Sequence, residues 1–146
     1  MGDKSEANVR AGAAPFLEPD EPIVATLFAQ LRGRSQAMAG GVAGIVGGQR
    51  AGSARREADA AGVELAGIMA FALTPGRLLM METGNGGKVK RLLGVYPLSE
   101  VGEMEVKRLG LGGTMTLSVL DATIKLEGRV GAAREFAGLL AQAKAA

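Results

Sequence analysis

The sequence predicts an α+β fold: a seven-stranded antiparallel barrel of two near-orthogonal sheets, capped at one corner by a C-terminal helix. Three observations lead there. Seven short apolar segments follow one another between Ile23 and Val130, separated by turn-forming residues. Several of them alternate apolar and polar side chains, the period of an antiparallel sheet with one wet face. The chain then ends in "GAAREFAGLLAQAKAA", where Phe136, Leu139, Leu140 and Ala143 fall at i, i+3, i+4 and i+7 of one helical stripe. An antiparallel sheet of that length has to curl or split, and its open end needs the cover that such a helix supplies.

Met1 to Ala14 are small, polar and charged without a period, which predicts a disordered lead-in; residues 15–146 read as a single domain. The prolines of "FLEPDEP" punctuate its start. "IVATLFAQL" places Ile23, Ala25, Leu27, Ala29 and Leu31 on one face of a first strand. A long connection, Ser35 to Glu64, follows where a hairpin needs only about two to five residues. Within it, "SARREADAAG" has the marks of a short helix, with Ser53 as cap and Gly62 as stop. "GIMAFALTPGRLLMMETGNGG" reads as strand, turn, strand, and Pro75-Gly76 suits the centre of a type II turn. "KVKRLLGVYPL" is a fourth strand and "SEVGEMEVKRL" a fifth; Val101 is out of phase with Met104 and Val106, which predicts a bulge near Gly102. In "TMTLSVLDATIKLEGRV", Met115, Leu117, Val119, Ile124 and Leu126 face one way across a hairpin that turns tightly at Asp121-Ala122.

Composition narrows the function classes. The chain of 146 residues has no cysteine and no histidine, which removes disulfides, thiolate nucleophiles, imidazole bases and the usual zinc sites together. Ser99 and Ser118 lack an activating base, and Glu100, Glu103 and Glu105 fall on an exposed strand, so the reading is non-enzymatic, with no cofactor and no metal. A net charge of +2 with aromatic residues at 3% gives nucleic-acid binding no support. The opening residues carry no apolar signal region, and the longest apolar run is short of the ~20 residues a spanning helix needs. The expectation is a cytoplasmic protein, with the inner face of the membrane as a second location.

"ALTPGRLLMME", "RLLGVYPLSEVGEMEV" and "GTMTLSVLDATIKLEGRVGAAREFAGLLAQA" together resemble bacterial pleckstrin-homology-like domains and the related GRAM-type modules. Those families share an "LT…R(L/I)L" strand pair, a "PL..(V/I)" step into strand five, and a hairpin running into a helix with "A..F...L". The resemblance spans Pro22 to Lys144 and implies the same barrel with its capping helix. Its motifs are core and turn residues and carry no catalytic signature. The departure is the 35–64 insertion between strands one and two.

Two groups of residues are candidates for function. "MAGGVAGIVGGQRAG" sets Gly40, Gly44, Gly48 and Gly52 four residues apart, which on a helix makes a smooth face for close backbone approach by a partner or a second copy. The alternative is a mobile Gly/Ala loop; the spacing fails that of a phosphate-binding loop. The second group is basic. Phosphoinositide-binding relatives carry a basic pattern across strand one, its loop and strand two; here Arg32, Arg34, Arg50, Arg55 and Arg56 fit the first parts, but strand two has no basic residue. Lys88, Lys90 and Arg91 form a further cluster, placed near Arg77 if strands three and four pair, which an acidic partner or anionic membrane would suit. The chain thus reads as a binding or scaffolding module working through β-augmentation, a groove beside the terminal helix, or self-association. The other reading is a peripheral module on anionic lipid.

Overall fold

A computed structural model describes residues 3–32, 61–110 and 112–146. It contains α1 (Asp3–Ala13), β1 (Ala25–Leu31), β2 (Ile68–Leu73), β3 (Arg77–Thr83), β4 (Val89–Pro97), β5 (Glu105–Leu109), β6 (Gly112–Val119), β7 (Ala122–Gly128) and α2 (Val130–Ala145). The seven strands form one antiparallel sheet in the order β4-β3-β2-β1-β7-β6-β5. The expected closed barrel does not form: β4 and β5, the two ends of that order, do not pair. The sheet instead curls around α2. Residues from both ends of the strand order, Met80 and Tyr96 on one side and Met115 and Leu117 on the other, share a single core with Ala133, Phe136 and Leu140 of α2. The Phe136 ring lies 6.4 Å from that of Phe71 at its centre. Lys144, in the last turn of α2, donates to the carbonyl of Leu98 at 3.0 Å and to that of Val101, which ties the helix to the approach to β5.

Alternation reads directly into burial where one face is wet. In β1 the residues from Ala25 to Leu31 alternate between buried and half-buried. In β7 the inward Ala122, Ile124 and Leu126 alternate with exposed Thr123 and Lys125. The β6–β7 turn falls one residue earlier than expected, at Leu120-Asp121, because Val119 pairs with Ala122. Leu120 there takes a φ of 53°, a left-handed conformation that is costly for leucine.

β2 and β3 behave differently: five of six and five of seven residues are buried, so both faces are covered. The second cover is the segment expected to be disordered. Residues 3–13 are helical, and Val9 and Ala13 are fully buried against Ala70, Ala72, Leu79 and Met81 on the outer face of the sheet. Gly12 makes the contact close, since a Cβ there would overlap the side chain of Val89. Asn8 donates to the carbonyl of Gly86 at 3.0 Å, and Arg77 donates to that of Phe16 at 3.2 Å, so the segment is held at both ends.

Three local expectations are revised. Gly76 is not among the positive-φ glycines, so the 74–77 turn is not type II; the Thr74 hydroxyl closes it, accepting from Arg77 N–H at 2.9 Å. The fifth strand is broken rather than bulged: Leu98–Glu100 form a 3-10 turn, Val101 makes an isolated bridge to Val119, and β5 begins at Glu105. This break lets Val101 and Met104 both reach the core. β4 carries the irregularities instead, with register shifts opposite Met80/Met81 and Glu82/Thr83. They leave Leu93 and Tyr96 with the inner core while Val89, Leu92 and Val95 pack under α1.

Candidate functional site

The open sheet presents two kinds of surface that can act chemically: strand edges with free main-chain groups, and a charged rim at the β3–β4 turn. β5 is the more exposed edge. It pairs with β6 from Glu105 to Leu109, and nothing pairs with its other side among the described residues. Glu105, Lys107, Arg108 and Leu109 are all exposed, and Leu109 retains 69% of its surface. Such an edge offers a row of donors and acceptors to another strand, and its short length and charges limit indiscriminate pairing.

The basic cluster expected from the sequence is divided by the fold. Arg91 sits opposite Glu82 and is ion-paired on both sides, to Glu82 at 2.8 Å and to Glu64. Hydrogen bonds from Arg91 to these two carboxylates, Glu64 first, raise its pKa and hold it charged. Arg77 is not beside this group. It lies at the opposite end of β3, across from Pro97, and its Nε donates to Glu21 at 2.8 Å. Hydrogen bonding, chiefly to Arg77 and helped by the Glu18 N–H and Thr74, brings the Glu21 carboxyl down from 4.5 to about 2 against the opposing effect of burial. Lys88 and Lys90 remain at the turn, where Lys4 from the first turn of α1 joins them around a cavity of about 560 Å³ with Ser5, Asn8 and Asn85. Nothing in the sequence marks Lys4 for this rim, because its segment shows no local reason to fold.

Arg32 is committed to the sheet. Its N–H donates to Lys125 O at 3.0 Å and its Nη2 to Met115 O at 3.2 Å, while its buried Nε has no acceptor. Gly40, Gly44, Gly48, Gly52, Arg34, Arg50, Arg55 and Arg56, with the helix expected after Ser53, lie outside the described residues. Where description resumes, Val63, Leu65 and Ala66 belong to the inner core.

Burial is otherwise apolar. Among the described residues the buried polar ones are Thr74 and Thr83, and the Thr83 hydroxyl has no hydrogen-bond partner. The Tyr96 hydroxyl is pushed up in pKa by burial and packs over Gly94, where a Cβ would come within 2.5 Å of its oxygen. Among the described residues no group of three or more Asp and Glu side chains is placed to hold a metal ion, and no helix is long and apolar enough to cross a membrane. No family model matches the chain, and no curated protein matches it.

Proposed function

We propose that this protein is a non-enzymatic binding module of pleckstrin-homology-like type, joining a protein partner or a second copy of itself through the open edge of its sheet. The observation that carries the reading is β5, an exposed strand edge ending in Leu109 with 69% of its surface in solvent. The strand order and the terminal helix inside the curl support the fold assignment. Light scattering across a dilution series tests it. A mass that rises with concentration and returns to that of a monomer in Leu109→Lys is the expected result. A monomer at every concentration removes self-association through this edge.

A second reading has one observation in its favour: Lys4, Lys88 and Lys90 gather on one rim without ion pairs among the described residues. In that reading the rim rests on anionic lipid, adding to basic residues of the 35–64 insertion. Flotation with anionic vesicles at low salt, repeated after replacing all three lysines with glutamine, checks it. Absence of binding by the unmodified protein overturns it.

A further inference from the structure

β1 changes neighbours partway along its length. On one side β2 pairs with it from Ala25 to Gln30. On the other, β7 meets it only at Gln30 and Leu31, after which the chain turns away into α2. Two hydrogen bonds fix which way its main-chain groups point. Leu31 N–H donates to Gly67 O at 2.9 Å on the β2 side, and Arg32 N–H donates to Lys125 O at 3.0 Å on the β7 side. Successive residues of an antiparallel strand alternate in this respect. The N–H and C=O of Ala25, Leu27 and Ala29 therefore face β2, and those of Thr26 and Phe28 face the side that β7 has left. Among the described residues no strand pairs with them there.

The space beside those groups is a notch with helical walls. A cavity of about 220 Å³ separates Val24 to Thr26 from Leu139 of α2, and one of about 330 Å³ lies against Phe28 and Gln30. Ala132 lines both, so they run end to end along β1. Two donors and two acceptors in a row, at strand spacing, are matched by extended main chain and not by a helix. Ala132, Phe136 and Leu139 make the α2 wall apolar while Glu6 and Arg10 make the α1 wall polar, and cavities of this size leave room only for small side chains. Charge sets the direction: at the Val24 end Glu6 is paired with Arg10 at 3.3 Å, and Glu135 on α2 is exposed without an ion pair among the described residues. One negative charge is left over at that end.

We propose that this notch takes an extended segment of a partner protein, added as a strand to β1 between α1 and α2. The segment has small apolar residues at alternate positions and a lysine or arginine at the Val24 end. The six steps from Val24 to Gln30, at ~3.3 Å each, give it a length of about six residues. The proposal rests on the binding-module reading but uses a different edge from β5, and it stands or falls separately.

The test uses the full chain and a synthetic peptide, Lys-Val-Thr-Val-Thr-Val, blocked at both ends. Amide hydrogen exchange is followed residue by residue. Excess peptide is expected to slow the Thr26 and Phe28 amides by roughly tenfold or more while Leu27 and Ala29 keep their existing rates. Thr26→Pro removes a donor that faces the notch and takes none from the β1–β2 ladder, so binding should be lost with the fold retained. Glu135→Lys, on an exposed position, should weaken this peptide and favour one that begins with glutamate. Leu109→Lys should leave the protection unchanged, which separates the notch from β5. The proposal is overturned if neither peptide protects the two amides, or if they already exchange slowly in the free protein at low concentration. Protection that grows with protein concentration alone also overturns it, because a second copy is then the occupant.

Discussion

Replacing Glu21 with glutamine isolates the ion pair that anchors the chain between α1 and β1. Glu21 meets Arg77 through two contacts, one of them the 2.8 Å bond from Nε, and Arg77 also holds the carbonyl of Phe16. The Glu21 pKa falls from 4.5 to about 2, chiefly through the hydrogen bond with Arg77. A drop of that size sets a ceiling of about 3 kcal/mol at ~1.4 kcal/mol per pH unit. The Arg77 and Glu21 side chains retain 26% and 14% of their surface, so water screens part of the pairing. About 1–2 kcal/mol is the expected contribution. Because the folded-state pKa is depressed, the stabilisation is fully present above pH 4.5 and is lost as pH falls toward 2. Urea unfolding of the wild type and Glu21→Gln, measured from neutral pH down to pH 2, reads this directly, since the other carboxylates titrate alike in both proteins. The gap between the two should be about 1–2 kcal/mol at neutral pH and close between pH 4.5 and 2. A gap that stays constant across that window, or that is missing at neutral pH, refutes the reasoning.

Three further substitutions test the packing. Thr83→Val replaces a buried hydroxyl that has no partner with a methyl of similar shape, and chemical denaturation should find it neutral or up to about 1 kcal/mol more stable. Gly12→Leu puts a side chain where Val89 already sits, so α1 should lift from the sheet; limited proteolysis should then cleave within residues 3–13, and the melting temperature should fall. Leu120→Asn keeps the N–H that donates to Glu100 O and suits a φ of 53° better, for a gain of about 1 kcal/mol, or ~2–4 °C in melting temperature.

Strands whose outer face is wet were legible in the sequence. β1, β6 and β7 bury the residues that alternation selects, because a period of two assigns each side chain to a face without reference to anything distant. The helix α1 was not legible. Its only large apolar residue is Val9, and its remaining apolar packing comes from Ala13 and from the lack of a side chain at Gly12. A signal for it did exist elsewhere: "IMAFAL" and "LLMM" do not alternate, and a strand buried on both faces requires a second cover. The rim at the β3–β4 turn was partly legible. Lys88, Lys90 and Arg91 are neighbours in sequence, but a register shift in β4 and the carboxylates of Glu82 and Glu64 remove Arg91 from the group.

By itself the sequence determined the seven strands of the described residues, most of their hairpins, the inward face of each wet strand and the helix that ends the chain. These depend on turn chemistry and on periods of two and 3.6, which act over a few residues. Tertiary structure alone decided that the sheet stays open, that α1 covers its outer face, that Arg77 serves Glu21, and that β7 leaves β1 at Gln30. Each of those depends on groups far apart in the chain meeting in space, where hydrogen-bond pairing and close packing select the neighbours and local preference has no influence.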